Sequence, residues 1–171
     1  MKYAIGIDPG LTGCIVCVEI ETKKMHSFYD VEKVGSDIDI AGIVKYLSQF
    51  DRQESTIFLE NPHPHGTDGV KTVFAGFMYG YGVGVMNGVC SSLDFSIIKV
   101  APTSWKGHFA LMSGSLSYQE KKMLDIDKAC YLSPENEAIF RHKRIDKKTY
   151  RHDRADAFLI ANYGIDKYIN K

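Results

Sequence analysis

Four acidic residues stand where they could act together. Asp8 ends the apolar run Tyr3-Ala4-Ile5-Gly6-Ile7, and Glu60 ends another, Ile57-Phe58-Leu59. Asp153 and Asp156 lie three apart in a stretch that reads as helix, which puts both carboxylates on one face. If the two apolar runs are neighbouring strands of one sheet, Asp8 and Glu60 point into a common crevice that the helix can close. Carboxylates gathered in this way repel one another unless cations neutralise them. Hard oxygen donors suit Mg²⁺ or Mn²⁺, and two such ions about 4 Å apart can activate a water and stabilise the leaving oxygen in phosphodiester hydrolysis. Taken singly, three of the acids have ordinary explanations. Asp153 and Asp156 in the first turn of a helix are favoured by its dipole, and Asp8 ahead of Pro9-Gly10 suits a turn. Glu60 is different, because an acid that continues a core run needs a partner.

The elements that must position these acids follow from apolar periodicity. Residues 2–8 read as a short strand, Pro9 to Gly13 as a turn, and Cys14 to Ile20 and Met25 to Val34 as two further strands, so three antiparallel strands open the fold. Asp39 to Phe50 carries Ile40, Ile43, Val44 and Leu47 at the spacing of an amphipathic helix. Ser55 to Leu59 reads as a buried strand, which Asn61-Pro62 stops. There follow a glycine-rich helix from about Val70 to Ser91, an apolar strand from Phe95 to Ala101, a break at Pro102-Thr103-Ser104, and a loop with one or two short helices from Trp105 to Glu137. The last helix is expected from His152 or Asp153 to about Tyr168. The order β-α-β-α-β is that of an α/β sheet.

The chain of 171 residues and 19.2 kDa has the size of one compact domain. Its 44% hydrophobic and 25% charged residues exclude a disordered or collagen-like chain. The 21 basic residues balance the 21 acidic ones, so net charge specifies no partner, yet the charge is segregated: residues 141–154 carry seven Lys/Arg against two Asp/Glu. Such a run is usually a solvated face; beside a phosphodiesterase site it would hold DNA phosphates without reading sequence. The four cysteines are too few and scattered for a disulfide scaffold. Cys14 and Cys17 have a C-x-x-C spacing, but on a strand they point to opposite faces. The N-terminus enters a strand at once and lacks a signal-peptide core, so a cytoplasmic location is expected. Val73 to Cys90 runs without a charge for nearly the length of a bilayer. Gly76, Gly80, Gly84 and Gly88 recur there every fourth residue, which gives a groove for close packing against a sheet or a second copy.

The stretch Ile5-Gly6-Ile7-Asp8-Pro9-Gly10-Leu11-Thr12-Gly13 resembles the opening motif of the RuvC-type Holliday-junction resolvases. Further motifs follow in that family's order: Phe58-Leu59-Glu60, a glycine-rich helix, Ala101-Pro102-Thr103-Ser104-Trp105-Lys106, and His152-Asp153-Arg154-Ala155-Asp156-Ala157. The resemblance runs from about residue 3 to about residue 163, and the short middle region is more similar to the phage and poxvirus branches. It implies a single nuclease domain over residues 1–171 with a ribonuclease-H-like fold, a mixed five-stranded α/β sheet flanked by helices. It also implies that Asp8, Glu60, Asp153 and Asp156 are metal-binding catalytic carboxylates for two Mg²⁺ ions, with Mn²⁺ as a substitute. The implied activity is endonucleolytic resolution of branched DNA by paired nicks, with 5′-phosphate and 3′-hydroxyl products.

Paired nicks need two sites and hence a homodimer, for which Gly76, Gly80 and Gly84 are the interface candidates. No membrane partner is implied, and a viral member would work inside the host cell. Lys106, Lys121, Lys122, Arg141, Lys143, Arg144, Lys147, Lys148 and Arg151 are the candidates for DNA contact, and His152, His63 and His65 for auxiliary roles. Trp105 reads as packing. The chain departs from the bacterial members in the loop after Glu60, where Asn61-Pro62-His63-Pro64-His65-Gly66 stands in place of an aromatic wedge. Asp8-Pro9-Gly10-Leu11-Thr12-Gly13 also resembles the first phosphate loop of actin- and hexokinase-type phosphotransferases, but those need a second such loop a domain later. A non-catalytic junction-binding protein is the remaining alternative, against which the presence of all four acids argues.

Overall fold

The structure, a computed structural model, describes residues 1–61, 73–143 and 150–170. β1 (Tyr3–Asp8) and β2 (Cys14–Glu19) pair antiparallel with Asp8 opposite Cys14, and β3 (Met25–Asp30) adds antiparallel to β2 with Asp30 opposite Cys14. The chain then makes a two-residue hairpin, β4 (Lys33–Val34) and β5 (Asp37–Ile38), before α1 (Ile40–Leu47). β6 (Ser55–Glu60) lies parallel to β1, in register with Ile7 beside Leu59. After α2 (Val73–Ser92), β7 (Ser96–Val100) pairs parallel to β6 and completes the order β3-β2-β1-β6-β7. α3 (Pro102–His108), α4 (Tyr118–Leu132), α5 (Glu137–Phe140) and α6 (His152–Gly164) follow, and α6 runs on into a π-helical turn, Ile165–Ile169.

Alternation along the strands divides the core into two layers. Ala4, Val16, Val18 and Phe58 face α6, whereas Ile5, Ile7, Ile15, Ile57 and Leu59 face α1 and α2. Cys14 belongs to the first layer and Cys17 to the second, so the pair cannot meet, as the strand spacing predicts. Phe58 is fully buried, and burial of such a side chain contributes roughly 1.5–3 kcal/mol. The same parity puts Asp8, two residues beyond Gly6, and Glu60, two beyond Phe58, on the side that α6 covers.

α6 approaches this face over a seam of small residues. A Cβ on Gly6 would lie 2.0 Å from the Ala157 carbonyl oxygen and 2.6 Å from the Ala161 nitrogen, and one on Gly164 would lie 2.4 Å from the Phe58 ring. On the opposite face α2 comes down on the β1–β2 turn at Gly82, where a Cβ would lie 2.1 Å from the Pro9 carbonyl oxygen. Among the described residues no helix is long and apolar enough to cross a membrane, the uncharged α2 included.

The first helix ends at Leu47, short of the expected Phe50, and three further boundaries differ from expectation for a physical reason. The third strand stops at Asp30 instead of Val34, because the chain turns into the β4–β5 hairpin, where Gly35 takes a φ of 66°. Pro102-Thr103-Ser104 starts α3 instead of breaking the chain, since a proline in the first turn lacks only an N–H that would be unsatisfied anyway. α4 is one helix of 15 residues, opened by a capping box in which Ser117 and Glu120 exchange hydrogen bonds.

Candidate active site

Asp8 is held at the carboxyl end of β1 by a turn so tight that a Cβ on Gly13 would lie 2.0 Å from the Asp8 carbonyl oxygen. Glu60 follows Leu59, the strand partner of Ile7, and so ends one strand over from Asp8. Its two oxygens are oriented separately: Trp105 Nε1 donates to Oε1 at 2.8 Å and Tyr79 Oη to Oε2 at 2.8 Å. The partner that Glu60 required is therefore a pair of donors from α3 and α2. Trp105 is fully buried, as packing predicts, and in addition it fixes an acid.

The first turns of α6 carry Asp153 and Asp156, which are 6% and 4% exposed. Between them Arg154 turns away to β3. Its Nε and Nη2 donate to Asp30 Oδ1 and Oδ2 at 2.9 and 2.6 Å, and Arg151 Nη1 lies 3.0 Å from Oδ2. His152 Nε2 lies 3.2 Å from Asp153 Oδ1.

Electrostatics tie the acids into one group. Burial, and then the charges of Glu60, Asp153 and Asp156, hold the Asp8 carboxyl well above the usual carboxylate range. Glu60 is raised by burial and by Asp156, against the hydrogen bonds from Trp105 and Tyr79. Asp156 runs the other way: burial would raise it, but Lys122, whose Nζ lies 2.5 Å from Oδ2, together with His152 and Lys106, holds it below the ordinary value. Lys122 is in turn raised, because Asp156, Asp8 and Asp125 outweigh the effect of its burial. Behind it, burial and Asp156 push Asp125 up to about 7, against Lys106 and Lys122.

As to a metal, the donor set fits a hard divalent cation: four carboxylates converge, and Asp156 Oδ1 is buried without a hydrogen-bond partner. Among the described residues no three acids, histidines or cysteines are drawn tightly enough together to enclose an ion. The Lys122 ammonium, bonded to Asp156, places a positive charge beside the acids.

The remaining candidates are scattered. Lys106 pairs with Asp125 at 3.1 Å and lies over the Trp105 ring. Arg141 is engaged with Asp127 and Glu137 at 2.7 Å each, and Arg151 with Asp30. Lys121 is half-buried on α4, and Lys143 is exposed with its Nζ over the Tyr150 ring. Arg144, Lys147, Lys148, His63 and His65 lie outside the described residues. Gly80, Gly84 and Gly88 face open space, in which a Cβ would touch nothing, and Gly76 is half-buried. The α2 groove thus does not pack on the chain's own sheet. Sequence reasoning passed over Tyr79, Asp125 and Asp30. The rule that an acid in a core run needs a donor pointed toward the first, and no local pattern marked the other two.

No protein-family model and no curated protein matches the chain. Among solved structures it is similar to T. thermophilus RuvC in complex with Holliday junction substrate, at 15% identity and a TM-score of 0.63, covering 95% of this chain and 92% of that one. A second structure of Thermus thermophilus RuvC matches at 14% identity and a TM-score of 0.59, covering 96% and 95%. The likeness extends over the whole sheet and its helices, and the fold is the ribonuclease-H-like α/β fold that RuvC has.

Proposed function

We propose that the chain is a divalent-metal-dependent, structure-selective endonuclease that resolves Holliday junctions and other branched DNA by paired nicks. The observation that carries this reading is the gathering of Asp8, Glu60, Asp153 and Asp156 from β1, β6 and α6 into one electrostatic group, on the fold of a protein solved with a Holliday junction. Mg²⁺ or Mn²⁺ held by these acids would supply an activated water at neutral pH and charge stabilisation at the leaving oxygen. Trp105 and Tyr79 hold the Glu60 carboxylate in one orientation, so no freedom need be lost when it engages a ligand. Lys106 and Lys122, each about one-fifth exposed, offer ammonium groups to the phosphate that enters beside the acids. The test is incubation with labelled four-way, three-way, flap and linear DNAs in Mg²⁺, in Mn²⁺ and in chelator. Cleavage of branched DNA only with a divalent ion, leaving 5′-phosphate and 3′-hydroxyl ends, is expected; metal-independent binding without cleavage would sink the reading.

The basic run gives a separate expectation. Neutralising Lys143, Arg144, Lys147 and Lys148 together weakens binding to every DNA shape alike. The log–log salt slope falls by roughly 0.9 for each phosphate that the variant no longer neutralises. A slope equal to that of the parent protein makes the run a solvated face.

Paired nicks require two sites, and the α2 face of Gly76, Gly80 and Gly84, open at Gly80 and Gly84 and with Phe77 68% exposed beside it, is the surface we assign to a second copy. Gly84→Leu puts a side chain into free space in the monomer and removes a helix-interior glycine, which by itself favours the helix by roughly 0.5–1 kcal/mol. The variant therefore melts no lower than the parent, sediments as a monomer and leaves single nicks on a four-way junction. A Gly84→Leu dimer of unchanged affinity places the interface elsewhere.

A further inference from the structure

Behind the acids lies a charged residue for which cleavage as described above has no use. Asp125, midway along α4, is 1% exposed. Its Oδ2 accepts from Lys106 Nζ at 3.1 Å and lies 3.9 Å from Lys122 Nζ; its Oδ1 is buried with no hydrogen-bond partner. A carboxylate taken out of water is destabilising unless its oxygens are satisfied. Packing does not demand it, since Ile126 and Ala129 already bury α4 in the core.

Lys122 stands one turn before Asp125 and is suspended between two carboxylates. It is bonded to Asp156 at 2.5 Å and stands off from Asp125 at 3.9 Å, and each of these acids has one orphaned Oδ1. A divalent cation on the free Asp156 Oδ1 would stand one carboxylate away from the ammonium held by Oδ2, and the two positive charges at that separation repel. A movement of about 1 Å brings the ammonium within hydrogen-bond distance of Asp125 Oδ2, on a carboxylate whose other oxygen still has no partner.

From this geometry we infer that Asp125 is a positioning residue, which receives Lys122 from Asp156 when a divalent cation enters the acid cluster. Lys122 then remains beside Lys106 at the edge of the site, facing the phosphate, instead of leaving for solvent. The inference rests on the nuclease reading in one respect, that the cluster takes up such an ion.

Trp105 is the only tryptophan of the chain and donates to Glu60, so its fluorescence, quenched by paramagnetic Mn²⁺, reports occupancy without any activity. Mn²⁺ alone is titrated into the full chain, the variants Asp125→Asn and Lys122→Met, and the double variant. Lys122→Met removes the competitor and is expected to bind about tenfold tighter than the parent. Asp125→Asn leaves Lys122 with no carboxylate outside the acid cluster to move to and is expected to bind about tenfold weaker, with a melting temperature no lower than the parent's. The double variant should match Lys122→Met, because Asp125 acts only through Lys122. Two results overturn the inference: an affinity of Asp125→Asn equal to the parent's, or a weakening that persists in full without Lys122, which would mean that Asp125 acts by its charge alone. Should Asp125→Asn not fold, Lys122→Met still decides, since an affinity no higher than the parent's overturns it as well. Absence of Mn²⁺ binding by the parent protein fails the nuclease reading itself, a result distinct from the others.

Discussion

Asp8→Asn and Glu60→Gln each lower cleavage of a four-way junction in Mg²⁺ by about 10³-fold or more, while junction binding stays within a few-fold of the parent. The amide keeps the shape of the side chain and removes one negative oxygen donor. Losing several kcal/mol of metal-mediated stabilisation corresponds to a factor of that size. On the proposed function binding would survive, because it would rest on cations elsewhere and one acid fewer repels DNA less. Near-normal cleavage by either variant refutes the site.

The Asp8 variant also changes stability in a direction set by its titration. Burial and three neighbouring acids raise the folded carboxyl above its unfolded value. Its contribution is therefore fully present below about pH 4 and is lost as pH rises through the raised value. Removing the charge removes that loss. In chelator at pH 8, Asp8→Asn melts higher than the parent, by roughly 5 °C, and the gap closes toward pH 4. A gap independent of pH would show that the Asp8 carboxyl is not raised in the folded chain.

The largest effect on stability belongs to Gly6→Ala. The added methyl carbon falls 2.0 Å from the Ala157 carbonyl oxygen and 2.6 Å from the Ala161 nitrogen, both backbone atoms that cannot swing aside. Strand and helix must separate, and overpacking of this kind costs about 3 kcal/mol or more, or roughly 10 °C in melting temperature. The separation carries Asp153 and Asp156 away from Asp8, so Mn²⁺ affinity falls as well. Gly80→Ala is the control: its methyl group meets open space and the helix gains a better helix former, so the melting temperature holds or rises. Equal melting curves for the two variants would mean that β1 and α6 are not in close contact.

Strands were the most legible part of the fold, because apolar runs bounded by Gly, Pro and acids mark β1, β2, β6 and β7 within a residue or two. α4 was harder, since it buries only Asp125, Ile126 and Ala129, too few for an apolar stripe. Its usable signal was the capping pair Ser117 and Glu120, which a loop reading overlooks. For the site, the acids could be found because their types are unusual at strand ends. What holds them could not: Tyr79 lies 19 residues from Glu60 and Trp105 lies 45 away. Such pairings depend on how α2 and α3 lie against the sheet, which no local pattern encodes. The glycine groove was visible as a period of four, yet only the folded chain shows that it faces outward and that Gly82, off that period, meets Pro9.

The segment Arg151 to Asp156 holds two arginines and two aspartates, so its formal charge is zero. Folding sorts these charges by sign. Arg151 and Arg154 go to Asp30, whose carboxyl they hold below the ordinary range against its burial, and the aspartates go to the crevice. A neutral stretch of chain thereby becomes a transverse dipole with its negative pole at β1. That dipole exists only while α6 is docked between β3 and β1; in the unfolded chain the same residues cancel one another and have little to offer a cation. Under the proposed function, ion capture would be linked to the docking of α6, and a bound ion would act as a clasp on the carboxyl-terminal helix, readable as slower amide exchange in the turn from His152 to Asp156.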